Sequence, residues 1–316
     1  MILTAIVPIT LGVALIWISA DKLEKYSIHS AKKLGMSPFL IGSTVIAFGT
    51  SAPEMLTSFF AGLEDRGPMI IGNVIGSNIA NLSLVFGLTL FIIALKGKAI
   101  KQESSIVKNI LVLLASTILM WAVIATNPFS IVSSFILLSS LLLVIFFWFK
   151  TNSGIDIELE EGSKKFITLK LIIALLVLIF AAWIITFGAT NILNEFSLGE
   201  LFIGYTVLAI GTSLPEIAAA SSLALKGRYE TVAGTLIGSN IFNSLCVLAI
   251  PGLFNSPEMS SGWFYGTWST LLLILASITL CFAWYIYSAT KQPSKASLLL
   301  GLVFIGSYFL SLPFAY

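Results

Sequence analysis

Two carboxylates, Glu54 and Glu216, stand inside long apolar runs, each closing the string Gly-Thr-Ser-x-Pro-Glu. The frames around them, Gly42-Ser-Thr-Val-Ile-Ala-Phe-Gly-Thr-Ser-Ala-Pro-Glu54 and Gly204-Tyr-Thr-Val-Leu-Ala-Ile-Gly-Thr-Ser-Leu-Pro-Glu216, agree at 9 of 13 positions, 162 residues apart. At the same offset, Gly72-Asn-Val-Ile-Gly-Ser-Asn-Ile-Ala-Asn81 and Gly234-Thr-Leu-Ile-Gly-Ser-Asn-Ile-Phe-Asn243 agree at 7 of 10. The other 13 acidic residues fall in loops or at helix ends, and no Lys, Arg or His lies at the centre of an apolar run. A carboxylate at bilayer depth costs at least about 2.5 kcal/mol, even on the lenient insertion scale. Without a basic neighbour it must be protonated or share a cation. A neutral Glu that only stabilises a kink is the plainer reading of either residue alone. The same acid, twice, with the same neighbours, favours the cation.

The neighbours add oxygen. Thr50 lies four residues before Glu54 and so shares its helix face, with the Ser51 hydroxyl beside it; Thr212, Ser213 and Glu216 repeat this arrangement. Pro53 and Pro215 each remove a backbone donor and crowd the carbonyls of Gly49 and Gly211, so both helices are expected to break there. The break should turn main-chain carbonyls near Ala47 and Ala209 toward the site. Ser77 and Asn81 share one face in the second motif, as do Ser239 and Asn243. Asn78 and Asn240 point elsewhere and are expected to hydrogen-bond between helices. Gly72 with Gly76, and Gly234 with Gly238, give the G-x-x-x-G spacing that lets helices approach closely. An all-oxygen set suits hard cations such as Ca²⁺ or Na⁺ rather than zinc or copper. Two ionised Glu balance one Ca²⁺, or several Na⁺ occupy the positions around them; a shared site makes the ions alternate, which is antiport. Ca²⁺ and Na⁺ enter as transported ions, and no cofactor is called for.

The elements that must hold these groups are membrane helices. Of 316 residues, 57% are hydrophobic and 10% charged, with mean hydropathy +1.00, against roughly 25% charged in soluble domains. The apolar runs cover roughly 2–20, 38–62, 69–95, 109–126, 131–149, 166–190, 199–225, 232–255, 264–288 and 296–315. They are too long for barrel strands, and lipid cannot satisfy open backbone groups. The expected fold is therefore all-α and integral to the membrane, with ten transmembrane helices. Residues 1–149 form the first five-helix repeat (motif 42–81), 150–165 a short cytoplasmic linker and 166–316 the second repeat (motif 204–243). In the ten-span layout 16 of 17 Lys and Arg fall on one side and only Arg66 on the other, which predicts both termini on the non-cytoplasmic side. An odd number of spans per repeat makes the two repeats inverted.

Several local expectations follow. Ser37-Pro38 reads as an N-cap with Pro at the first helical position, and Ser197-Leu-Gly-Glu200 as a capping box. Cys246 and Cys281 sit in apolar runs as buried free thiols, and His29 in a solvated loop. Asp156, Glu158, Glu160 and Glu161 read as a solvated connector; a calcium-sensing loop is the alternative, but the run lacks the EF-hand pattern. At about 1.5 Å per residue, Glu54 lies roughly 24 Å along its helix. Glu216 lies equally deep from the other side, so straight helices would hold the two apart. Tilt or the predicted breaks must close the distance.

At these motifs the chain resembles the sodium/calcium exchanger (cation/calcium antiporter) superfamily, in its prokaryotic form without a large regulatory loop. The resemblance covers the whole ten-helix layout. It implies that Ala47, Thr50, Ser51, Glu54, Ser77 and Asn81 line the ion site in one repeat, and Ala209, Thr212, Ser213, Glu216, Ser239 and Asn243 in the other. It further implies Na⁺/Ca²⁺ exchange by alternating access at a midplane site, with the first and sixth helices sliding past the rest. Asn243 departs from the potassium-dependent branch, which resembles this chain but has Asp there; that leaves two carboxylates and argues against K⁺ co-transport. Ala52 stands where Leu is commoner.

The rival readings are weaker or of the same fold. An exchanger driven by H⁺ or another cation remains the alternative, since both Glu could carry protons. An intramembrane enzyme lacks H-E-x-x-H, a membrane His or a protease-type acid pair. A channel is disfavoured by the inverted repeats. The expected setting is the plasma (inner) membrane, with the lipid bilayer and the two ions as partners, and neither nucleic acid nor an obligate protein partner.

Overall fold

The computed structural model describes residues 6–15, 18, 19, 22, 25, 26, 36–96, 104–152, 167–196, 199–254, 269–288 and 294–315. The acidic run 156–161, His29 and Ser197 lie outside them. The protein is an all-helical membrane protein. Among the described residues, seven helices are long and apolar enough to cross a bilayer. We label the helices α1 (Ile6–Leu15), α2 (Pro38–Leu63), α3 (Gly67–Leu95), α4 (Ser104–Thr126), α5 (Ile131–Asn152), α6 (Ile167–Phe196), α7 (Glu200–Leu225), α8 (Tyr229–Phe254), α9 (Ser269–Ser288) and α10 (Ser294–Ser311). α2, α3, α7 and α8 are the most deeply covered, and α4, α5 and α10 present Leu, Ile and Phe side chains outward. Such an apolar exterior is what lipid, not water, solvates.

α2 and α7 are both interrupted, at Ser51 (φ −82°, ψ 0°) and Ser213 (φ −80°, ψ 3°). The cause is local. Pro53 and Pro215 sit at the start of the helical segments that follow, where a missing N–H is harmless, and they disfavour continuous α geometry upstream. The breaks come two residues after Gly49 and Gly211, the positions where the prolines are expected to place them, because the helix runs on through Thr50 and Thr212. A second irregularity has no signature in the sequence. The Ala47 N–H bonds the Gly42 carbonyl and the Ala209 N–H that of Gly204, five residues back, so each helix carries a π turn just before the break. α3 and α8 carry π turns beginning at Asn81 and Asn243. Such turns widen the helix by one residue and recur at functional sites.

The two repeats pack through each other. A Cβ on Gly42 would strike the Thr231 carbonyl and the Thr235 amide, while one on Gly234 would strike the Phe39 carbonyl and the Ser43 amide. α2 thus crosses α8 in backbone contact. α3 crosses α7 in the same way, with Gly72 against Leu201 and Tyr205 and Gly204 against Met69 and Asn73. The motif of each repeat is held against the other repeat because glycine is the only residue that fits at these crossings. Gly12 of α1 lies equally close to Ala181 and Ile185 of α6. Phe86 of α3 meets Phe282 and Tyr285 of α9 and Phe304 of α10 edge-to-face, at centroid distances of 4.6, 5.5 and 5.0 Å.

The caps divide. Ser37 caps α2 by accepting the Leu40 N–H at 3.1 Å. The capping box expected at 197–200 is replaced: the cap residue of α7 is Gly199, which has no side chain to offer, and Glu200 instead pairs with Arg66 at 2.8 Å. Cys246 is half-buried and Cys281 exposed, so the second thiol is not the buried one expected; it lies on the outward face of α9. Both are free.

Candidate cation site

At the breaks, each repeat reaches into the other. Ser51 Oγ lies 3.4 Å from Glu216 Oε1, and Ser213 Oγ lies 3.4 Å from Glu54 Oε1. Thr50 Oγ1 and Ser239 Oγ are 3.3 Å apart. The residue three before one carboxylate therefore donates to the other carboxylate, across the pseudo-symmetric crossing. Straight helices would have kept the two acids apart; the crossing and the paired breaks bring them together.

All twelve residues of the expected site are buried, at 2% exposure or less. Among the described residues Glu54 and Glu216 have no basic partner, whereas Arg66 pairs at the periphery with Glu200 at 2.8 Å and lies 3.9 Å from Glu64. Two acids side by side in a water-poor interior repel one another and lose their hydration. Many of the polar atoms around them are also unmatched. Among the described residues, Glu54 Oε2, Glu216 Oε2, Ser77 Oγ and both side-chain polar atoms of Asn81 and Asn243 are buried without a hydrogen-bond partner. An unmatched buried polar atom costs about 1–3 kcal/mol. Such a concentration in one place is a standing demand for a ligand that is positive and accepts oxygen donors. No three His, Cys, Asp or Glu side chains converge among the described residues. The charge of the site is thus two carboxylates, and neutral oxygens complete it.

The Ala47 and Ala209 carbonyls depart from expectation. Ala47 O accepts the Ser51 N–H at 2.9 Å and the Thr50 hydroxyl at 3.3 Å, and Ala209 O accepts the Ser213 N–H at 3.1 Å. The breaks do not leave these carbonyls bare, because the helix closes one normal turn before Pro takes effect. Each Ala methyl also fills the space beside a crossing glycine, Ala47 against Gly238 and Ala209 against Gly76.

The two outlying asparagines split. Asn78 Nδ2 donates across repeats to Ser244 Oγ at 3.0 Å, as expected of an interhelical bond. Asn240 Nδ2 instead bonds Leu236 O of its own helix at 2.7 Å. The reason lies in the partner position: the residue matching Ser244 in the first repeat is Leu82, which has nothing to accept a bond. One polar group escaped the sequence reading altogether. Asn73 Nδ2 reaches Thr57 Oγ1 and Ser58 Oγ at 3.1 Å and Glu54 O at 3.5 Å. Its signal was the pair Thr57-Ser58, polar where the second repeat has Ala219-Ala220.

Comparisons with known proteins agree with this architecture. A family model described as "Sodium/calcium exchanger protein" matches residues 4–150 and 166–316. The putative antiporter CaxA of Alkalimonas amylolytica is 32% identical, the match covering 88% of this chain and 91% of that protein. Inner membrane protein YrbG of Escherichia coli is 29% identical over 96% of this chain and 94% of its own length. The structure of the sodium-calcium exchanger NCX_Mj soaked with 10 mM Na⁺ and 10 mM Sr²⁺ superposes with a TM-score of 0.73, at 29% identity and 99% coverage of both chains.

Proposed function

The chain belongs to the sodium/calcium exchanger family, and from that premise we propose that it exchanges Na⁺ for Ca²⁺ across the membrane through the site between Glu54 and Glu216. The reading is carried by one observation: the two buried acids lie at one crossing, each bonded by a serine of the opposite repeat, with no basic partner among the described residues. One Ca²⁺ neutralises both carboxylates. Six to eight oxygens are its usual complement. Glu54, Glu216, Thr50, Ser51, Thr212, Ser213, Ser77, Ser239, Asn81 and Asn243 would supply them from side chains, and Ala47 and Ala209 from the lone pairs their carbonyls retain. Asn81 and Asn243 would turn Oδ1 toward the ion.

Na⁺ at the same oxygens competes with Ca²⁺, and a site that cannot hold both sets couples their movements. We read the layout as ten spans in two inverted repeats, with both termini outside the cytoplasm, in the plasma or inner membrane. α1 and α6, which cross at Gly12, would slide past the crossed α2, α3, α7 and α8 to open the site to one side and then the other.

Purified protein in vesicles tests this. An outward Na⁺ gradient should drive Ca²⁺ uptake that collapses when Na⁺ is replaced by choline, while a pH gradient at constant Na⁺ should drive none. Uptake that follows the pH gradient and ignores Na⁺ would overturn Na⁺ coupling and favour proton exchange on the same two acids.

A further inference from the structure

Glu54 and Glu216 occupy matched places in their own motifs, yet the structure supports them differently. On the helical turn after Glu54 stand Thr57 and Ser58, both fully buried. Asn73, on α3, faces them from the next helix and is also fully buried. The two hydrogens of its amide go to Thr57 Oγ1 and Ser58 Oγ, each at 3.1 Å, and the Glu54 carbonyl sits at 3.5 Å as a weaker, shared acceptor. Thr57 Oγ1 in turn donates to the Glu54 carbonyl at 3.1 Å. The backbone of the residue that bears the carboxylate is thus tied, through one amide and one hydroxyl, to the neighbouring helix.

The second repeat has no such tie. The matching residues are Ala219, Ala220 and Thr235. Alanine has no hydrogen-bonding side chain, and the Thr235 hydroxyl is spent on Thr231 O of its own helix at 2.9 Å. The backbone crossing is otherwise the same: Thr235 N approaches Gly42 where Asn73 N approaches Gly204. The brace is therefore not a by-product of helix packing. It is an addition made in one repeat only, in a water-poor setting where an unmatched amide is costly.

We propose that Asn73, with Thr57 and Ser58, is a positioning residue that fixes the placement of the Glu54 carboxylate, and so sets cation affinity through one of the two acids and not the other. This rests on the cation-exchange reading of the site. Asn73 acts here through Nδ2, its Oδ1 being buried without a hydrogen-bond partner among the described residues. It holds the turn that follows Glu54 against α3, and a carboxylate misplaced by a fraction of an ångström loses ligand geometry without losing its charge. The consequence is a weaker site with transport intact.

The test uses full-length protein in vesicles, with equal amounts of monodisperse wild type, Asn73→Thr, Thr57→Val, Thr57→Ser and Thr235→Val. Na⁺-driven ⁴⁵Ca²⁺ uptake gives the apparent KM and the maximal rate per folded molecule. Asn73→Thr and Thr57→Val should raise the KM for Ca²⁺ about tenfold and leave the maximal rate within about twofold, a tenfold change being worth about 1.4 kcal/mol. Thr57→Ser keeps the hydroxyl and should restore the wild-type KM. Thr235→Val, which strips the matched hydroxyl in the second repeat, should leave KM within about twofold. A purely structural role would lower the yield of folded protein or the maximal rate and leave KM alone. If Asn73→Thr does not fold, the Thr57→Val and Thr57→Ser pair decides. Wild-type exchange with an unmoved KM in Thr57→Val, or an equal rise in Thr235→Val, overturns this inference alone. Wild type that carries no Ca²⁺ overturns it together with the exchange reading.

Discussion

At the turn between α2 and α3, Asp65 adopts φ 56°; at the matching turn between α7 and α8, Gly227 adopts φ 74°. Arg66 N bonds Ala61 O and Arg228 N bonds Leu223 O, both at 2.9 Å. The segments Ala52–Leu63 and Leu214–Leu225, Gly67–Ala80 and Tyr229–Phe242, and the π turns Asn81–Val85 and Asn243–Val247 coincide residue for residue. Beyond them α3 continues as helix to Leu95 while α8 breaks at 248–250 before Pro251; within them the backbones of the two repeats are copies. Their side chains are not. Ser37 caps one helix where Gly199 begins the other; Asn78 finds Ser244 where Asn240 faces Leu82; Arg66 finds Glu200 where Arg228 is matched against Pro38. The contrast separates two kinds of residue. Both acids and the Thr-Ser pair before each are present twice, while the bonds that fasten helix to helix, the Asn73 brace among them, are present in one repeat.

The largest effects should be symmetric. Glu54→Gln and Glu216→Gln each remove one of the two charges while keeping shape, and each should cut Ca²⁺ exchange in vesicles by at least about 100-fold, in line with about 3 kcal/mol or more for breaking a buried charge interaction. If one variant retained normal flux, the two acids would not share one ion. Gly42→Ala and Gly204→Ala should come next and should also match. Each puts a Cβ against opposing backbone that cannot give way, for about 2–3 kcal/mol of destabilisation. Thermal unfolding in detergent should show it, while Gly306→Ala, with nothing within 4 Å, should be neutral or slightly stabilising.

Smaller effects should be one-sided. Asn78→Leu removes the bond to Ser244 and should cost about 1–2 kcal/mol, whereas Asn240→Leu should stay within about 0.5 kcal/mol, because its bond lies within one helix and links nothing across repeats. A comparable loss from both would mean that the asymmetry in bonding carries no weight. Smallest of all, Glu200→Gln should cost about 0.5–1 kcal/mol, a value that shrinks at high salt because the Arg66 pair is partly exposed. Arg228→Gln should change stability less than that. A salt titration of the unfolding midpoint separates the two.

The repetition itself made the site legible. Gly-Thr-Ser-x-Pro-Glu at two matched places marked the acids, the proline breaks and the hydroxyls before any coordinates, and the absence of a basic neighbour marked the charge. Of the crossing glycines, Gly72 and Gly234 were legible as close-approach residues from their G-x-x-x-G spacing, which names a face and no partner; Gly42 and Gly204 carry no such spacing and were not. The π turns were not legible at all: an N–H that bonds five residues back leaves no trace in residue type. The Ala47 and Ala209 carbonyls each accept a backbone N–H, because a proline acts four residues upstream, on Gly49 and Gly211, and not on the carbonyls two residues before them. Asn73 was not legible, because the duplication marks only what the two motifs share, and the brace is a feature that they do not.

The central claim is that a single cation is held jointly by Glu54 and Glu216. Anomalous diffraction from crystals soaked in Sr²⁺ tests it most directly. The account predicts one strong peak within about 2.6 Å of a carboxylate oxygen of each residue, absent from crystals of Glu54→Gln and of Glu216→Gln. A peak bound to one acid alone, or no peak between them at saturating Sr²⁺, would contradict it.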